Sequence, residues 1–165
     1  MDVFFEQIIK MKLTGKAKLI IIAVLAIDVL LSGAILLFAF AYLPAFAFLI
    51  LVGLIYGSYK LISMLSVEFE YIFVNGDLDV DKITAKSSRK RMVSIKCSQV
   101  EKYGEYKGQA APGSVKKIYF FCNPDSEGQV YIIAPDRNQG MVMIVLSPDE
   151  RVRTAIENAL PRIAK

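Results

Sequence analysis

The 165-residue chain contains no histidine and no tryptophan, and only two cysteines, Cys97 and Cys122. Those absences exclude Ser-His and Cys-His nucleophile pairs and the usual His or Cys zinc cages. With so few cysteines the chain is not a disulfide-stapled miniprotein, and a composition that is 55% hydrophobic and 22% charged is neither disordered nor collagen-like. Charge is missing from one long stretch: between Leu19 and Tyr59 the only formal charge is Asp28. An apolar block is therefore followed by a polar half.

A helix needs about 20 residues to cross the roughly 30 Å hydrocarbon core, and this block has about 41, so its length predicts two crossings. The spans are expected at Leu19 to Tyr42 and Ala45 to Leu65, with Pro44 and the aromatic Tyr42 in the turn between them. Lys10, Lys12, Lys16 and Lys18 precede the first span, Lys82, Lys86, Arg89, Lys90 and Arg91 follow the second, and the turn has no charge. The positive-inside bias then puts both termini in the cytoplasm of a multi-pass inner-membrane protein. A signal peptide fits poorly, because its apolar region has about 7 to 15 residues and no second apolar helix. Residues 1–18 read as an amphipathic interfacial segment: Val3, Phe4, Phe5, Ile8 and Ile9 are apolar, and Glu6 and Lys10 form an i,i+4 pair.

Within the hairpin of residues 19–65, Asp28 lies 16 residues before Pro44 and Lys60 lies 16 residues after it. At about 1.5 Å per residue the two reach the same depth, which makes them a candidate intramembrane ion pair. Gly53 and Gly57 share a face with Lys60 in a Gly-x-x-x-Gly spacing that suits close helix packing.

From Ser66 onward the apolar residues alternate. Val67, Phe69, Tyr71 and Phe73 interleave with Glu68 and Glu70, Asn75-Gly76 fits a two-residue hairpin turn, and Leu78 and Val80 resume the alternation. Further strands are expected at Met92 to Ser98, Val100 to Tyr106, Lys116 to Cys122, Val130 to Ala134 and Met141 to Leu146, seven in all. Ser147-Pro148-Asp149-Glu150 reads as a capping box opening a terminal helix with Val152, Ile156, Ala159, Leu160 and Ile163 on its apolar stripe. The fold class is thus an α-helical transmembrane hairpin plus a mainly β domain of residues 66–165, a seven-stranded barrel or sandwich with a C-terminal helix.

This order, with the run from Phe69 to Ile83, resembles an uncharacterised family of small bacterial membrane proteins that carry a pleckstrin-homology-like domain. The resemblance implies a binding or scaffold module and brings no catalytic motif, so no enzyme activity and no cofactor are expected.

Asp77-Leu78-Asp79-Val80-Asp81 imitates the start of an EF-hand loop, but Lys82 occupies the position that requires glycine and Ser88 the one that requires glutamate, so no metal site is expected. The three carboxylates share a strand face and can meet a basic group across the hairpin. Lys86, Arg89, Lys90 and Arg91 form the densest cation cluster, a candidate contact for anionic lipid. Residues 1–65 and 66–165 each carry a net charge of +2, too little to expect nucleic acid as a partner. Cys97 and Cys122 are expected as buried apolar fillers. The function expected is a membrane-anchored binding or scaffold protein whose partners are the bilayer and either another protein or further copies of itself. The alternative is a small transport or channel subunit that uses Asp28 and Lys60.

Overall fold

The computed structural model describes residues 3–39 and 42–162. It divides into two compact units. One holds the chain up to Met11, Glu68–Ile83 and the chain from Ser88 onward; the other holds Lys12–Val67 together with Thr84–Ser87.

The first unit is a β domain with eight strands among the described residues. They are β1 (Phe4–Lys10), β2 (Val67–Val74), β3 (Asp77–Thr84), β4 (Ser88–Lys96), β5 (Lys102–Glu105), β6 (Lys117–Phe120), β7 (Val130–Asp136) and β8 (Gly140–Leu146). The sheet runs β1-β2-β3-β4-β7-β8-β6, with β5 branching off β7, and does not close into a barrel. Alternation decides which side chains face the core: Phe69, Tyr71 and Phe73 of β2, Leu78 and Val80 of β3, and Val93 and Ile95 of β4 are all buried. Fully burying side chains of this size contributes roughly 1.5–3 kcal/mol each. Asn75 and Gly76 have φ of 49° and 91°, as the hairpin turn demands.

Where β4 crosses to β7, Ile95 lies opposite Asp136. The buried Asp136 carboxylate accepts from the Ser94 amide at 2.8 Å and the Asn138 amide at 2.9 Å, satisfying donors that the sheet leaves over at this corner.

Two expectations need correction. The segment at Phe4–Lys10 is a strand, not an interfacial helix, pairing antiparallel with β2 from Phe4↔Val74 to Lys10↔Glu68. Its content of aromatic and β-branched residues suits a pleated surface, and β2 offers it a free edge. The seven strands expected from Ser66 onward are all present, and β1 adds an eighth from ahead of the helices. The last helix, α3 (Glu150–Ala159), is capped by Asp149, whose carboxylate accepts from the Val152 amide at 2.8 Å; the Ser147 hydroxyl instead donates to the Glu127 carbonyl. α3 buries Val152 and Ile156 and ends before Pro161, which holds Leu160 in an extended conformation. Ile163 of the expected stripe lies outside the described residues.

The second unit is a helical pair, α1 (Gly15–Ala34), continued by a π-helical turn at Ile35–Ala39, and α2 (Pro44–Met64). Pro44 opens α2 at its first position, where its missing N–H costs nothing. Gly15–Phe38 and Pro44–Met64 are each long and apolar enough to cross a membrane. Along α1 the less exposed residues recur as Ala17, Ile21, Val24, Asp28 and Ser32, and along α2 as Ala47, Leu51, Leu54, Ser58 and Ile62. That three-and-four spacing is the seam of an antiparallel pair.

Candidate functional site

Polar groups within the helical pair come together at one point. The Ser58 hydroxyl donates to Asp28 Oδ1 at 2.8 Å, inside the seam. The expected ion pair is therefore not formed within the chain: Lys60 is exposed and its ammonium has no partner among the described residues. The reason is rotational, since depth along a helix says nothing of direction. Lys60 is two residues beyond Ser58, about 200° around α2, and so points away from α1. Gly53 and Gly57 are open, for a Cβ built on either meets nothing within 4 Å. They are not used to pack α2 on α1.

The cation cluster divides in two. Arg89 lies 2.9 Å from Glu70, whose side chain is wholly buried, and Arg91 bridges Asp79 at 2.6 Å and Asp81 at 2.9 Å. Asp77 pairs with Arg137. The carboxylates that imitate a calcium loop are thus held by arginines, and two of the four candidate lipid-binding cations are neutralised locally. Lys86 and Lys90 remain exposed. Lys86 sits in a turn with Ala85, both at positive φ, and the Ala85 amide donates to the carbonyl of Ser66, just past the end of α2. Glu70 also has the Glu6 carboxyl of β1 beside it; burial and that neighbour hold its carboxyl above the usual range, against the pull of Arg89.

A cleft of about 700 Å³ opens in the β domain between β1, the Asn75-Gly76 turn and α3. Val3, Phe5 and Phe73 form one wall, and Arg151, Thr154, Ala155 and Asn158 the other. Gln7 sets the spacing of these walls: its amide donates to the Ser147 carbonyl at 3.3 Å and accepts from the Asp149 amide at 2.7 Å, tying β1 to the start of α3. Among the described residues β1 ends the sheet with β2 as its paired strand, and the Asn123 side-chain amide donates to its Lys10 carbonyl. Sequence reasoning missed this cleft because no local signal joins residue 5 to residue 154.

The two cysteines are buried and free, with Cys97 pushed up to about 12 and Cys122 to about 11 by burial. Among the described residues no cluster of acidic and cysteine side chains is arranged to hold a metal.

Compared with known families, residues 1–165 match the family described as Bacterial PH-like domain (DUF6106). The chain belongs to this family. The match runs through the apolar helices as well as the sheet, so the helical pair is part of the pattern of the bacterial PH-like family and not an appendage to it. No curated protein and no solved structure matches the chain.

Proposed function

We propose that this bacterial PH-like protein is a membrane-anchored binding module, with the helical pair crossing the bilayer twice and the β domain displayed at the cytoplasmic face. The observation that carries the reading is the pairing of β1 with β2. The apolar helices lie between these strands in the chain, yet the strands exchange hydrogen bonds along their length. Both flanks of the helical pair must then be on one side of the membrane, which two crossings satisfy and one does not. The lysines before α1 make that side the cytoplasm.

Binding is supported by the cleft beside the unpartnered edge of β1, which offers apolar side chains and free backbone groups to an extended segment of a protein partner. Lys86, next to Ala85 whose amide donates to the Ser66 carbonyl near the end of α2, suits contact with anionic headgroups, and Lys90 adds a second exposed cation. Lipid contact then rests on Lys86 and Lys90 more than on Arg89 and Arg91. The transport reading draws on Asp28 and Lys60; beside Asp28 the seam is mostly apolar, with Val24, Ile21, Leu54 and Leu51, and Ser32 adds a further hydroxyl to that of Ser58. We infer no enzymatic role.

Alkaline carbonate extraction of cells expressing the full chain tests the anchor: the protein is expected in the membrane pellet, and its release overturns the reading. A photo-crosslinking side chain at Ala155, in the cleft, is expected to give a discrete protein adduct in intact cells that the same group at Lys96 does not give. Equal labelling from both positions contradicts the cleft as the binding surface.

A further inference from the structure

Two charges of opposite sign stand within the helical pair at nearly one level without meeting. Asp28 is placed by its bond to Ser58, and Lys60 is two residues, about 3 Å, further along α2. The carboxylate has a hydroxyl for a partner, and the ammonium has none among the described residues. In lipid each is costly alone, and each is relieved by the other. The surface that carries Lys60 also carries Gly57 and Gly53, about one and two turns away, where an added Cβ meets nothing within 4 Å. Such a face admits another helix closely.

We propose that this face of α2 docks on a second copy of the chain, so that Lys60 of one copy pairs with Asp28 of the next. The inference rests on the membrane-spanning reading above. Complementary charge at matched depth selects the occupant: copies related by an axis along the membrane normal keep their depths, so the ammonium of one copy meets the carboxylate of its neighbour. The contact is head-to-tail. A two-fold contact through the outer face of α2 would set Lys60 against Lys60 and leave Asp28 on the far side, whereas a repeated head-to-tail contact satisfies both charges in every copy and closes as a ring. Asp28 is partly exposed at the seam, and Ser58 takes its Oδ1, leaving the contact with the neighbour to Oδ2.

The test uses the full chain in vesicles of phosphatidylethanolamine and phosphatidylglycerol, with donor and acceptor dyes on separate copies and energy transfer as the readout. The native chain is expected to associate, and Asp28→Asn or Lys60→Gln is expected to raise its apparent dissociation constant by about tenfold or more. Charge exchange in trans decides the matter. Asp28→Lys alone and Lys60→Asp alone each place like charges at the contact and are expected not to self-associate, but a mixture of the two restores an opposite pair at every contact and is expected to recover energy transfer. Each neutral variant retaining native association overturns the proposal, as does a mixture that fails to associate while both of its components stay in the vesicles after an alkaline wash. If the native chain itself is washed off, the membrane reading fails and the proposal with it; if it stays but is monomeric, the proposal alone fails.

Discussion

The hydroxyl of Tyr71 donates to the carbonyl of Phe121 at 2.7 Å, across fifty positions of chain and between two regions of a sheet that does not close. Tyr71 lies on β2, Phe121 just beyond β6, and the Ser147 amide approaches the same hydroxyl at 3.4 Å. One buried phenol thus ties β2 to the segment after β6, two strands that do not pair with each other. The ring of Phe121 packs edge-on against Phe69 and stacks on Tyr119, so the bridge stands in an aromatic cluster.

Tyr71→Phe keeps the ring and removes the bridge, leaving a buried carbonyl without this donor. A loss of about 1–3 kcal/mol is expected in denaturant unfolding. An unchanged midpoint would show that the two segments are held together by packing alone.

Asp149 caps α3, and its bonds to the Val152 amide and Arg151 hold its carboxyl below the usual range. Because the folded value is depressed, the contribution is present above the unfolded value of about 3.8 and is lost as pH falls through the folded one. Asp149→Ala is expected to cost about 1 kcal/mol near neutral pH and progressively less in acid, measured as urea midpoints along a pH series. A cost that persists undiminished in strong acid contradicts the cap.

Glu70 behaves oppositely. Burial and the Glu6 side chain raise its folded value, so its favourable contribution is full below the unfolded value of about 4.5 and is lost as pH rises through the folded one. On acidification from neutral pH toward the unfolded value of about 4.5, the native chain is expected to gain stability relative to Glu70→Gln. Parallel curves for the two would show that Arg89 cancels the burial.

Both thiols are buried and held far above their usual range. An aromatic disulfide reagent at about pH 8 is expected to leave the folded chain unmodified and to titrate two thiols in denaturant. Rapid reaction of either in the native state would place it at the surface.

Much of the β domain was legible because its signals are local. Asn75-Gly76 specifies its turn without outside help, and the alternation from Val67 to Phe73 already tells β2's faces apart. The segment around Phe5 and Ile9 was not, since seven residues fit either a helical or a strand period and the deciding partner, β2, follows only after both apolar helices. For Asp28 the arithmetic of depth came within two residues of its partner, but rotation around α2 chose Ser58 over Lys60. The carboxylates of β3 read as able to meet a basic group, and Arg91 is that group, but the pairing of Arg89 with Glu70 was not legible because β3 stands between their strands, β4 and β2.

The central claim is that β1 and β2 bracket a double crossing, and sided labelling of engineered thiols in intact cells measures it most directly. With Cys97 and Cys122 replaced by alanine, a membrane-impermeant maleimide is expected to label Tyr42→Cys from outside, and to reach Phe4→Cys and Lys96→Cys only after the membrane is opened. Labelling of Phe4→Cys and Lys96→Cys from opposite sides would contradict the account, because strands separated by a bilayer cannot pair.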